Sequence, residues 1–338
     1  MQRRSSAACS PANRPGFAHA IASRNELHKG TAMLSTRSNT IVPPVAVTGT
    51  GGFLGRRIVD CLSAAGWRAI ALARTLPDGF GREVEARAWD GCEAAPGDLS
   101  IDAVVDCAAA IPARIGDPDL LTATNIALAR SAVELASRSR SPLIYMSSQS
   151  AIGRPTVACI DDATPASPDT PYGRSKLAAE RLIAEAVADG RLPVAVALRL
   201  PAAIGPGCHD NFPATVLARL LAGQPVTVFN PEGPYNAVVH ADTVAGFVAR
   251  LLTDRPAGFH AVSLASRPPI PVRAAVEAVA AGVGIRPTLD VRPADHPSPI
   301  IDPSGAESLG FVADDTAAVL ERFGREAALR IATPPSPR

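Results

Sequence analysis

The chain has 338 residues, 47% hydrophobic and 19% charged, with a formal net charge of +1. That balance offers no basic surface for nucleic acid or an acidic membrane, and no apolar run of about 18 residues is present to span a bilayer. The six cysteines (Cys9, Cys61, Cys92, Cys107, Cys159, Cys208) show no Cys-x-x-Cys spacing, which argues against a zinc site or a disulfide framework and fits a reducing, cytoplasmic compartment.

Residues 1–40 are rich in Ser, Arg, Ala and Asn and have no apolar period. They read as a disordered extension; a targeting peptide and an early start ahead of Met33 are the alternatives. Val45–Thr48 is a short apolar run ending in glycines. Residues 53–65 carry helical periodicity and stop at Gly66, a natural residue to end a helix. Further apolar runs follow at Ala69–Ala73, 103–108, 143–146 and Val194–Leu200, with helical stretches over 120–137 and 172–188. Strands alternating with helices predict βαβ units and a parallel sheet, and the continuously apolar strands predict a sheet covered on both faces. After about residue 205 prolines and glycines are frequent, and helices over 241–252 and 272–281 alternate with short strands. The expected fold class is α/β, a doubly wound parallel sheet over 41–205. A small substrate-binding lobe over 206–331 is interleaved with it, and 332–338 form a disordered tail.

Between the first strand and first helix lies Thr48-Gly49-Thr50-Gly51-Gly52-Phe53-Leu54-Gly55. Glycines three residues apart permit a tight turn, close approach of a pyrophosphate and close packing of helix on strand. The helix N-terminus adds free N–H groups and a partial positive charge. This is a Rossmann dinucleotide loop, and the residue at the end of the second strand reads the ribose. No carboxylate follows there until Asp78; Arg74 stands in its place, which favours NADP over NAD. Asp90 is a candidate contact for adenine.

Lysine occurs only at Lys29 and Lys176, and there are three tyrosines. Lys176 follows Tyr172 by four residues, so the two share one helix face. An ammonium beside a phenol favours the phenol's charged form and makes an acid/base pair. Cys208 and His209 are adjacent and lack further ligands, so no metal site is expected. His240 reads as a packed or capping residue.

With these motifs in order, the chain resembles the extended short-chain dehydrogenase/reductase family, the NAD-dependent epimerase/dehydratase group, from about Val45 to Phe311. The resemblance rests on the glycine loop, Asn125, Ser147-Ser148, Tyr172-x-x-x-Lys176, Arg199-Leu200-Pro201 with Gly205-Pro206-Gly207, and Val239-His240-Ala241-Asp242. It implies that Tyr172 exchanges a proton with the substrate oxygen and that Ser148 polarises that oxygen. Lys176 would hold the nicotinamide ribose, and Asn125 would steady the backbone and a relay water. The implied cofactor set is Gly49, Gly52, Phe53, Leu54, Gly55, Arg74, Asp90, Ala108, Tyr172 and Lys176. The implied substrate set is Ser148, Asn211, Tyr235 and Arg292, with Arg292 placed for a diphosphate. A homodimer through the stretches 120–137 and 172–188 is implied as well.

Three departures narrow the chemistry. Tyr235-Asn236-Ala237 stands where nucleotide-sugar epimerases often carry an arginine. Gln149-Ser150 replaces the Asp-Glu pair of 4,6-dehydratases, and Gln149 also replaces the cysteine of epimerase-reductases. The expected activity is hydride transfer at one carbon of a sugar, a nucleotide-linked keto-sugar first. A nucleotide-sugar 4-epimerase, a reductase of small carbonyls or steroid-like alcohols, and a non-catalytic NADP sensor are the alternatives.

Overall fold

The computed structural model describes residues 44–76, 79–81, 84–91, 99–293 and 298–332. The expected extension over 1–40 and the tail from 333 onward lie outside the described residues, as do Lys29, Asp78 and Asp295. The first half contains β1 (Val45–Thr48), α1 (Phe53–Ala64), β2 (Ala69–Ala73), β3 (Val84–Ala88), β4 (Ala103–Asp106), α2 (Pro118–Arg138), β5 (Leu143–Ser148), β6 (Cys159–Ile160) and α3 (Pro171–Ala188). Next come β7 (Val194–Leu200), β8 (Ala202–Ile204), α4 (Phe212–Leu221), β9 (Val226–Phe229), β10 (Pro234–Tyr235), β11 (Val238–His240) and α5 (Ala241–Asp254). The chain ends with β12 (Gly258–Ser263), β13 (Ile270–Pro271), α6 (Val272–Val283), β14 (Leu289–Arg292), β15 (Ile300–Ile301), α7 (Ser304–Ser308) and α8 (Thr316–Ala332).

Seven strands form one parallel sheet in the order β12-β7-β5-β4-β1-β2-β3. Strands β1, β2, β4 and β7 are buried along their whole length, as their predominantly apolar sequence requires of a sheet covered on both faces. One face packs Val45 and Val47 against Ile58 and Leu62 of α1 and Val244, Phe247 and Leu251 of α5. The other packs Ala46 and Val104 against Ala129 and Val133 of α2 and Ile183 of α3. A third core joins α4, α6 and α8 through Val216, Val276, Val279, Leu320 and Phe323. The first core also takes in Ala306 and Phe311 from far down the chain.

The helices start where their caps dictate. Asp117 accepts from the N–H groups of Asp119 and Leu120 ahead of α2, and Thr170 accepts from Gly173 N–H ahead of α3. Both have proline at the first helical position, where its missing N–H costs nothing. The strand expected over 103–108 stops at Asp106, and the one expected over 143–146 runs on to Ser148. β3 escaped the apolar reading because it is an edge strand, Val-Glu-Ala-Arg-Ala, and largely exposed. α8 reaches Ala332, one residue into the expected tail. Among the described residues no helix is long and apolar enough to cross a membrane.

A chain of ion pairs fastens α8 to α1 and α5. Asp242, in the first turn of α5, takes Arg57 of α1 and Arg322 of α8, while Arg322 also reaches Glu326 at 2.7 Å. Burial works against the Asp242 carboxylate, but Arg57, Arg322 and His240 hold its pKa below the usual carboxylate value. A carboxyl depressed in the folded state contributes stability above its unfolded pKa of about 4, lost as pH falls through the folded value. Asp242→Ala should lower Tm by about 2–4 °C at pH 7, a loss of roughly 1 kcal/mol after allowance for solvent screening. The gap from wild type should narrow progressively as scans are moved below about pH 4, the unfolded carboxyl value.

Candidate active site

All seven strands of the main sheet run the same way, so the ends of β1, β2, β4 and β5 meet at one edge, where open α/β sheets bind ligands. The glycine turn occupies that edge. Gly49 has φ +65°, and a Cβ there would lie 2.7 Å from Ala108 N. A Cβ on Gly55 would lie 2.4 Å from the Gly49 carbonyl oxygen. Backbone therefore fills the space that any side chain would need, and α1 begins directly against the turn. No side chain caps α1, which leaves its first N–H groups for an anion. Phe53 packs beside Gly205 and Gly207, and Leu54 turns into the first core, so both can offer a ligand little beyond backbone. The cradle fits a dinucleotide pyrophosphate.

Arg74 follows β2, is exposed, and has no partner among the described residues. Asp90 is exposed just beyond β3 and is already engaged. The N–H of Ala108 is shared between Thr48 Oγ1 and Asp106 Oδ1, both at 3.2 Å, so Ala108 presents a wall and no free donor.

The four residues of the expected catalytic set gather where β4, β5 and the start of α3 meet. Lys176 is buried, and its Nζ donates to Met146 O at 2.8 Å. The same Nζ lies 5.7 Å from the Tyr172 ring centroid and 4.7 Å from that of Tyr145. Two of the chain's three tyrosines thus flank one ammonium. Burial works against this charge, but Tyr145, Tyr172 and Asp106 outweigh it and hold the Lys176 pKa above the usual lysine value. Burial pushes the Tyr145 phenol up to about 12, with Lys176 opposing. Tyr172 is half-buried, and its hydroxyl bonds to no described residue.

Ser148 ends β5, and its Oγ accepts from Ser150 N at 3.1 Å, so its own proton remains available to another acceptor. Ser147 is buried and donates to Glu180, which pairs with Arg199 at 2.9 Å. Adjacent serines of the same strand therefore have opposite environments, one sealed and one open. Asn125 is buried; it accepts from Ala110 N at 2.7 Å and donates to Ala110 O and Ser175 Oγ. Ser175 in turn donates to Tyr172 O. Asn125 clamps the exit of β4 onto the first turn of α3, and both its amide hydrogens are used.

The expected substrate residues are more dispersed. Asn211 caps α4, accepting from Ala214 N and donating to Ala203 O. Tyr235 packs edge-on to Phe212 at 5.4 Å, and its hydroxyl donates to Ala237 O. Arg292 is exposed at the end of β14 and lies 2.9 Å from Asp290. Asn236, in the segment where an arginine was looked for, is buried against Ser266 O, Ile301 O and Ile301 N. His240 caps α5 through Nδ1, and its Nε2 meets Glu326 at 3.1 Å. Two residues at the site, Asp106 and Tyr145, escaped the sequence reading, although each is a polar group in an apolar strand, which was a visible signal. Phe229, 53% exposed and in register with Arg292 on the separate β9–β14 pair, gave none.

The model of the NAD dependent epimerase/dehydratase family matches residues 45–264. The chain belongs to that family. Among relatives, it is 29% identical over 262 residues to a 2′-dehydrokanamycin reductase from Streptomyces kanamyceticus, covering 71% of this chain and 66% of that protein. It is 32% identical over 184 residues to a dTDP-6-deoxy-L-talose 4-dehydrogenase (NAD(P)(+)) from Kitasatospora kifunensis, covering 51% of this chain and 56% of that one. The chain thus spans about two thirds and about half of the lengths of these relatives. A UDP-glucuronic acid 4-epimerase from Bacillus cereus, solved with NAD, superposes with a TM-score of 0.71 at 18% identity, covering 84% of this chain and 98% of that one. The epimerase/dehydratase fold therefore extends well past residue 264, into the third core.

Proposed function

We propose that this protein is an NAD(P)-dependent oxidoreductase that works at one carbon of a sugar. Tyr172 exchanges a proton with the substrate oxygen, and Ser148 donates a hydrogen bond to that oxygen. Lys176 holds the phenol's electrostatic environment and the ribose, and Asn125 fixes the first turn of α3. Bound NAD(P) would supply or accept the hydride. The observation that carries this reading is the buried Lys176 ammonium, anchored on Met146 O beside a half-buried phenol with an unused hydroxyl.

The sugar class rests on the two relatives, one named for reduction of a dehydro-aminoglycoside and one for oxidation of a dTDP-sugar. A nucleotide-linked keto-sugar is the first substrate class. Arg292 with the exposed ring of Phe229 supports it, since an arginine fork suits a diphosphate and an exposed aromatic suits a base. The second class is a sugar without a nucleotide. Its support is that Asp290 already occupies the Arg292 fork and that Asn236 is buried and uncharged. Among the described residues Cys61, Cys107, Cys159 and Cys208 are free, which fits a cytoplasmic setting, and α2 and α3 would carry the homodimer.

The test is oxidation of NADPH and NADH against keto forms of nucleoside-diphosphate hexoses, aminoglycosides and small ketones. Turnover of at least one sugar is expected; none across the panel would sink the reading. Turnover confined to sugars without a nucleotide selects the second class. NADP is the favoured cofactor because Arg74, exposed just after β2, has no partner among the described residues. Arg74→Ala should weaken NADP binding about 10–100-fold, the size of a charged hydrogen bond, and leave NAD unchanged. Equal loss of both in a binding titration would refute the assignment.

A further inference from the structure

We propose that Asp106 is a positioning residue for the reaction above, the buried counter-ion that holds the Lys176 ammonium in place through a row of side chains crossing the sheet. The inference rests on the catalytic reading of Lys176 but is tested without turnover.

The row follows from register. Asp106 lies opposite Thr48 of β1 on one side and opposite Tyr145 of β5 on the other. Residues in register on neighbouring strands point to the same face. All three therefore lie on one face of the sheet, and α3 lays Lys176 over the last of them, with Nζ 4.7 Å from the Tyr145 ring centroid. The Thr48 hydroxyl and Ala108 N–H both go to Asp106 Oδ1. Asp106 Oδ2 is buried and has no hydrogen-bond partner. The side chain is 1% exposed. A carboxylate so poorly solvated needs a nearby cation to remain charged.

Lys176 is the cation that acts on it. Burial holds the Asp106 carboxyl above the usual carboxylate range, and Thr48, Lys176 and Ala108 offset only part of that rise. The groups bearing on Lys176 are Asp106 and Cys107 at the end of β4, Tyr145 on β5 and Tyr172 on α3. The neighbouring Glu180 is already neutralised by Arg199. The proposed tetrad of serine, tyrosine, lysine and asparagine thus has a fifth, anionic member. That member also touches the glycine turn through Thr48, so the phosphate cradle and the catalytic ammonium share one support.

The experiment is a cycle of variants of the full chain, read by thermal unfolding. Asp106→Asn alone should lower Tm, because it removes the partner of Lys176. Lys176→Met alone should lower it further, because it strands a buried carboxylate. Adding Asp106→Asn to Lys176→Met should raise Tm by about 3–6 °C over the single Lys176→Met, a reversal of sign. The pH dependence must agree. In Lys176→Met the opposing charge is gone and the Asp106 pKa rises further above its unfolded value, so the native state is favoured at low pH and loses more stability as pH rises. The Tm deficit should therefore be larger at pH 8 than at pH 5, and the double variant should lose that difference. If Lys176→Met does not accumulate folded, Asp106→Asn should rescue it. Additive losses, a pH-independent deficit, or a double variant no better than Lys176→Met would each overturn the proposal. A negative substrate panel alongside a positive cycle would fault the activity and leave the electrostatic coupling of Asp106 to Lys176 standing.

Discussion

Tyr172→Phe should abolish turnover while leaving the molecule folded and able to bind cofactor. The hydroxyl bonds to no described residue, so its removal strands no buried donor or acceptor. The ring stays in place beside the Lys176 ammonium at 5.7 Å. What is lost is the proton carried between the hydroxyl and the substrate oxygen, and general acid/base catalysis contributes about 10²–10⁴-fold. A fall in kcat of about 10³-fold, with Tm within about 1 °C and cofactor Kd within about threefold, is the expected pattern. Retention of a tenth or more of wild-type kcat on an accepted sugar would move the acid/base role away from Tyr172.

Gly173→Ala should cost both stability and activity, although alanine is the better helix former. A Cβ at Gly173 would lie 2.1 Å from the Ser150 carbonyl oxygen and 2.9 Å from its carbon. Both are backbone atoms, so no side chain can swing away. The first turn of α3 would have to lift off the Ser148–Ile152 segment, carrying Tyr172 and Lys176 from Ser148. Overpacking of this kind costs about 1–3 kcal/mol. Misplacement of catalytic groups by about 1 Å costs on the order of 10²-fold. A drop in kcat/KM of about 100-fold together with a lower Tm is expected. Unchanged values for both would mean that α3 and the serine turn are not in such close contact.

The sheet and its helices were legible because their physics is local. β2 is an uninterrupted apolar run, β1 and β7 are apolar but for Thr48 and Arg199, and the structure keeps the expected ends of all three. α2 and α3 begin one or two residues earlier than their periodicity indicated, because Asp117 and Thr170 cap them ahead of prolines. The glycine turn was legible because its spacing encodes a backbone requirement. β3 was not, since an exposed edge strand has no apolar signature. α4 and α8 were missed because their buried stripes are completed only in the third core, by residues distant in sequence.

The site divides in the same manner. Tyr172 and Lys176 share one helix, so their spacing brings them together. Ser148 and Asn125 lie on other elements and came from resemblance. Asn211, Tyr235 and Arg292 were expected at a substrate, and the structure gives their polar groups to a helix cap, a main-chain carbonyl and Asp290. Those partners lie only two or three residues away in the chain, so the competing local roles were within reach of the sequence. The Gly173 contact with Ser150 was hidden for a different reason. Its tightness depends on how a turn after β5 meets α3, not on either segment alone.

The first core contains β1 residues alongside Val262, Ala306 and Phe311. The half expected to grip the phosphates and the half expected to hold the sugar are thus set in a common apolar matrix. Such a protein is a poor candidate for modular recombination. Transplanting the C-terminal stretch onto another scaffold would tear open the centre of both pieces, whereas new selectivity introduced one lining side chain at a time leaves the shared matrix untouched.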